Sequence, residues 1–180
     1  MAKIGPYIKE VDIRNIEGKE ENLLGVSVSK EFIPSIANTI GTDWKKYKVI
    51  KKRQFCYIPD TSRRGDKIGI ALLENYDEAL VSQAYTVFET NNELIPEYLL
   101  LWFKREEFDR YARFMSHGSV REIFSWEKFC EIDMPIPDVE KQKEFIKKYY
   151  DLKNAIEIKE AINNNLLLYH RTNYCLLQVN

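Results

Sequence analysis

The chain of 180 residues is 44% hydrophobic and 31% charged, enough apolar content for a buried core, which excludes intrinsic disorder as its main state. Its 27 basic and 28 acidic residues leave a formal net charge of -1, which excludes a generally cationic coat protein or basic tail but not a local basic face for nucleic acid. Scattered Cys56, Cys130 and Cys175, with only His117 and His170, fit neither a disulfide scaffold nor a compact zinc site and point to a reducing cytoplasm; no apolar run is long enough for a signal peptide or a membrane span.

In chain order, Gly5–Tyr7 reads as a turn, and short β-branched and aromatic runs follow. Strands are expected at Leu23–Val28, Lys48–Ile50, Phe55–Ile58, Ile68–Leu73, Ala79–Ser82 and Tyr85–Glu89. Gly41–Asp43 reads as a turn, and Arg63-Arg64-Gly65-Asp66 as a loop tip between two strands. Pro96 suits a first helical turn, and Leu99, Leu100, Trp102, Phe103 and Phe108 supply one apolar helix face. His117-Gly118-Ser119 breaks that helix, and Ser125 can cap a short one through Phe129. The stretch Ile132–Pro137 alternates and carries two prolines, so it is an extended edge or linker.

Beyond Pro137 there is neither proline nor glycine. Asp138 can cap a helix running to about residue 172, roughly 50 Å at 1.5 Å per residue. Phe145, Tyr149, Leu152 and Ile156 step as a coiled-coil seam does, and Ala155, Ile158, Ile162, Leu166 and Tyr169 continue on a shifted face. An apolar stripe of that length wants a partner helix, the alternative being a helix folded back over its own domain. The expected class is α+β: a mixed β-sheet domain with short helices over residues 1–137, then one long coiled-coil-forming helix with a tail over 138–180.

Charge is unevenly distributed along the chain. Lys45, Lys46, Lys48, Lys51, Lys52, Arg53, Arg63, Arg64 and Lys67 face only Asp43, Asp60 and Asp66 in their window, whereas Ile68–Leu100 has six acidic residues and no lysine or arginine. A positive face is what a phosphate backbone needs, because each neutralised phosphate releases counterions. Lys51, Lys52, Arg53, Arg63, Arg64 and Lys67 are therefore phosphate candidates, Arg64 also a base reader, and Tyr57 and Gln83 possible added contacts. The same charges also fit a solvated loop, and Tyr57 in an apolar strand also fits the core. No nucleophile elbow, Gly-rich phosphate loop or metal motif occurs, so the reading is non-catalytic, with no cofactor or metal held by this chain.

Several stretches in fixed order carry a resemblance: Gly25-Val26-Ser27-Val28-Ser29-Lys30-Glu31-Phe32-Ile33-Pro34-Ser35, Tyr47-Lys48-Val49-Ile50-Lys51-Lys52-Arg53, Val81-Ser82-Gln83-Ala84-Tyr85, Phe108-Asp109-Arg110-Tyr111, Gly118-Ser119-Val120-Arg121, Trp126-Glu127-Lys128-Phe129 and Met134-Pro135-Ile136-Pro137 before Glu140-Lys141-Gln142. The chain thereby resembles the specificity (S) subunits of Type I restriction-modification enzymes, in a half-length form with one target recognition domain and one spacer helix. It departs in Tyr57-Ile58-Pro59, where the family often has Tyr-Asn-Pro, and in having no second recognition domain after Asn180. The resemblance implies a DNA recognition subunit that directs methyltransferase (M) and possibly restriction (R) subunits to a split target. S-adenosylmethionine is then held by the M subunits. Ser119 and Arg121 would either touch the DNA backbone or lock the fold. The expected partners are double-stranded DNA, M subunits, and a second copy paired through an antiparallel helix or another S chain, in the cytoplasm and away from any membrane. The alternative is an S-like fragment that occupies M subunits and blocks assembly without reading DNA.

Overall fold

The computed structural model describes residues 1–37, 40–61, 67–116 and 122–177, with side chains placed as far as residue 166. By internal packing the chain divides into two compact units, Met1–Gln142 and Lys143–Asn180. The first unit is built on short strands: β1 (Ala2–Lys3), β2 (Ile8–Val11), β3 (Ile13–Arg14), β4 (Leu23–Val26), β5 (Phe32–Pro34), β6 (Lys48–Lys51), β7 (Phe55–Tyr57), β8 (Ile70–Leu72), β9 (Glu78–Val81), β10 (Thr86–Thr90) and β11 (Asp133–Met134). Helices α1 (Pro96–Phe103), α2 (Glu106–Met115) and α3 (Trp126–Cys130) follow β10, and α4 (Val139–Leu177) ends the described chain.

The strands form a four-stranded antiparallel sheet in the order β2-β10-β7-β8 and a five-stranded sheet in the order β3-β6-β9-β4-β5; β1 and β11 pair separately. Of the described strand pairs, only β4 and β9 run parallel. The chain changes sheet at Asp12 and again in the β6–β7, β8–β9 and β9–β10 connections. Those crossings bring both sheets onto one core made of Leu24, Val26, Ile50, Ala79 and Val81 from one side and Cys56, Ala71 and Val87 from the other.

Strand alternation turns the other residues of β7 and β10 the opposite way. Phe55, Tyr57 and Phe88 meet the helices in an aromatic layer, with Phe55 stacked on Phe88 at 4.9 Å and Tyr57 on Phe129 at 4.6 Å between ring centroids. Phe103 and Phe124 complete it, and Phe103, Phe124 and Phe129 are fully buried. The four-stranded sheet is therefore covered on both faces, and β7 and β8 are buried at every position. This is why they read in the sequence as continuous apolar runs without alternation.

The α+β architecture ending in a long helix is the one expected, with differences of detail. The helix over 96–108 is two helices. Arg105 takes an extended backbone (φ -76°, ψ 142°) and α2 restarts after it. Neither glycine nor proline marks that break. β11 lies within the expected extended edge segment Ile132–Pro137 and pairs with β1, whereas β1, β2, β3 and β5 carry no strand signal in the sequence, being as short as two residues and largely polar or exposed. The caps at Ser125 and Asp138 are as expected: Ser125 Oγ accepts from Lys128 N at 3.4 Å, and Asp138 Oδ1 from Lys141 N at 2.9 Å. Compact packing extends beyond Pro137 into the first turn of α4, because Gln142 is fully buried. Its amide accepts from Ile95 N at 2.8 Å and donates to the carbonyls of Glu93 (2.7 Å) and Pro137 (2.8 Å).

Candidate nucleic-acid interface

Hydrogen bonds along β7 define two ends of the four-stranded sheet. At one end Arg53 N donates to Leu73 O, and at the other Ile58 N donates to Gly69 O, each at 2.8 Å. The five residue steps from Arg53 to Ile58 span roughly 17 Å. Lys51, Lys52 and Arg53 sit together at the first end, exposed, along an open cleft of about 480 Å³ that Glu89, Asn91 and Asn92 also line. Arg53 turns the chain in the left-handed region, at φ +68°.

Acidic residues from the 68–100 stretch meet these cations. Arg53 makes a two-point contact with Glu97 (2.7 and 3.1 Å), Lys52 lies 3.5 Å from Asp77, and Lys51 stands opposite Glu78 in the β6–β9 register. Lys48 is buried with its ammonium 3.5 Å from Asp12. The basic and acidic stretches of the sequence are thus neighbours in space, and much of the linear charge separation is cancelled by the fold.

The second end holds Lys67 and Gln83, both exposed, Gln83 in the tight turn where Tyr85 N donates to Ser82 O at 3.0 Å. The chain on either side of 62–66 and 117–121 converges here: Thr61 N donates to Glu122 O at 3.0 Å and Phe124 N to Pro59 O at 2.9 Å. Candidates Arg63, Arg64, Ser119 and Arg121 lie outside the described residues. Helix α2 reaches this end too, since Ile68 N donates to Asp109 Oδ1 at 3.1 Å. Arg110, Arg113 and Phe114 share a cleft with Lys67.

Tyr57, offered above as a contact or as core, is core. It is fully buried in the aromatic layer, its hydroxyl reaches Phe124 O at 3.4 Å, and burial pushes its pKa well up. No surface ligand reaches it.

A buried ion pair escaped sequence reasoning. Lys30 holds a left-handed backbone (φ +63°) and is 4% exposed, with Nζ 2.8 Å from Asp109 Oδ2 and also bonded to Phe103 O. That carbonyl is one of those left without an intrahelical partner at the end of α1. Burial pushes the Lys30 ammonium pKa down, against the opposing pull of Asp109. The only sequence signal was that Lys30 and Asp109 each sit inside a family-like stretch.

On α4, Phe145 (53%), Leu152 (67%), Ile156, Ile158, Ile162 and Leu166 are each more than half exposed, and Tyr149 is 39% exposed. The side chain of Tyr169 lies outside the described residues. Among the described residues no cluster of three or more histidines, cysteines or carboxylates could hold a metal, and no helix is long and apolar enough to cross a membrane.

Two antiparallel-rich sheets share one core, an aromatic helical layer covers the outer face of the four-stranded one, and a long helix follows. Residues 6–168 match the Type I restriction modification DNA specificity domain, and the chain belongs to that family. The family is a specificity module of Type I systems and not their catalytic part. Two solved structures share the fold. One, described as the structural basis underlying complex assembly and conformational transition of the type I R-M system, is 10% identical with a TM-score of 0.56, covering 87% of this chain and 38% of that one. The other, the HsdS subunit from Thermoanaerobacter tengcongensis, is 11% identical with a TM-score of 0.54, covering 87% and 37%. The chain therefore spans under two fifths of the length of either. Curated proteins gave no match.

Proposed function

We propose that the first unit, Met1–Gln142, reads one half of a split DNA site and that α4 joins it to a second recognition unit, the pair directing methyltransferase subunits to the target. The observation that carries this reading is the exposed apolar run on α4 in a chain of the specificity family. An exposed apolar run of this length marks an interaction surface, and a partner helix is the element that matches its length and spacing. A second copy of this chain is the partner that brings its own complementary stripe, through an isologous antiparallel pairing about a two-fold axis. Two identical heads then read an inverted repeat, with a gap set by the helical arm, much as dimer geometry sets half-site spacing in other DNA-binding proteins. S-adenosylmethionine belongs to the methyltransferase partner, and the assembly works in the cytoplasm.

The test is to map methylated bases in DNA from cells carrying this chain and its methyltransferase subunit. A palindromic motif interrupted by a fixed gap is expected. An asymmetric motif would point to pairing with a different S chain, and no new methylation would leave the assembly-blocking alternative.

A further inference from the structure

We infer that the face formed by Lys67 and the outer side of α2, with Phe114 at its centre, is the surface that meets DNA. This deepens the DNA-reading function proposed above and rests on it.

Phe114 is 80% exposed, whereas the other described phenylalanines of its unit are buried or half-buried. A lone aromatic ring left in water costs free energy unless something covers it. Arg110 and Phe114 are four residues apart on α2 and share one face. With Lys67, Glu106, Asp109 and Arg113 they line an open cleft of about 480 Å³. Asp109 spends its charge inward on Lys30, and Arg113 is paired with Glu122. Of the described residues that line the cleft, Glu106 is then the carboxylate left to Lys67 and Arg110, with Glu107 also beside Arg110. The pairs of Arg110 with Glu106 (3.7 Å) and Glu107 (3.8 Å) are loose and exposed, so a phosphate can replace them.

At the other end of the sheet, by contrast, Arg53 is held by two short bonds to Glu97. Charge complementarity thus favours the α2 end for a polyanion. The carbonyl end of α2 repels phosphates, which leaves phosphate contact to Lys67 and Arg110, a turn back. Phe114, in the last turn, then makes the apolar contact with a base or between base steps, as exposed rings do in other DNA complexes.

The full chain with its methyltransferase subunits, tested on a short duplex carrying the mapped site and on a scrambled duplex of equal length, decides the matter. Phe114→Ala should weaken target binding about tenfold without changing the salt slope or the melting temperature, and Phe114→Trp should keep the affinity. Lys67→Ala and Arg110→Ala should each lower the salt slope by about one. If all these variants match the wild type while the wild type still prefers its site, this face is not the DNA surface, though the DNA-reading function stands. If Phe114→Ala instead loses the methyltransferase subunits and keeps DNA, the face docks protein and the inference is overturned. If the wild type shows no preference for the site, the underlying function fails and this inference with it.

Discussion

Lys30 shows how much a single residue can depend on partners far away in sequence. A non-glycine residue in the left-handed region gives up about 1–2 kcal/mol, and burying an ammonium costs more unless it is paired. Both penalties are met by Asp109 and the Phe103 carbonyl, which only the fold places there. Removing one partner strands the other charge. Lys30→Met and Asp109→Leu should each lower stability by about 3–5 kcal/mol, and the double variant by clearly less than their sum, read by urea denaturation. Additive losses would mean the pair is not coupled. Gln142 is similar, a surface glutamine by composition that is fully buried and bonded to three backbone groups. Neither role follows from local pattern, because a lysine or glutamine is normally solvated.

At the level of elements, the caps are legible in the sequence and the α1–α2 break is not. Ser125 and Asp138 act through atoms within three residues, so the local sequence holds everything the cap needs. The Asp138 carboxyl is held below its ordinary value of 3.8 by the Lys141 ammonium (2.7 Å) and backbone N–H. Its folded pKa is depressed, so its stabilising contribution is complete above 3.8 and fades as pH falls through the lowered value. A carbon-detected titration should place the Asp138 midpoint below 3.8, and Lys141→Ala should move it up; an unmoved midpoint would rule out Lys141 as the cause. The α1–α2 break carries no such signal, and the freed Phe103 carbonyl is used by Lys30. On α4 the early stripe (Phe145, Tyr149, Leu152, Ile156) and the late one (Ile158, Ile162, Leu166) lie on faces roughly 110° apart at 100° per residue. The phase slip was readable, since helical position depends on spacing alone.

For the whole molecule, the proposed pairing through α4 predicts a mass near twice 21.4 kDa at micromolar concentration by sedimentation equilibrium. Leu152→Asp with Ile156→Asp, placed on exposed positions, should return a single-chain mass without unfolding Met1–Gln142. A single-chain mass for the wild type, with and without methyltransferase subunits, would end the homodimer. The charge pattern is what changed most between chain and fold. Counted along the sequence, residues 43–67 are strongly basic, yet the β6–β7 turn lies against Asp77, Glu78 and Glu97. Linear density does not measure surface potential when strand pairing folds opposite charges together.

What the sequence by itself determined were the features that depend on near neighbours: the α+β class, the last helix with its cap and shifted stripe, and the ordered stretches marking the specificity family. Tertiary structure alone decided that Tyr57 is core, that Lys30 and Asp109 lock together, and that Lys67 lies at the opposite end of the sheet from Lys51, Lys52 and Arg53. The reason is physical. Helix periodicity and capping act over a few residues, whereas burial and charge pairing join positions dozens of residues apart that only sheet topology brings into contact.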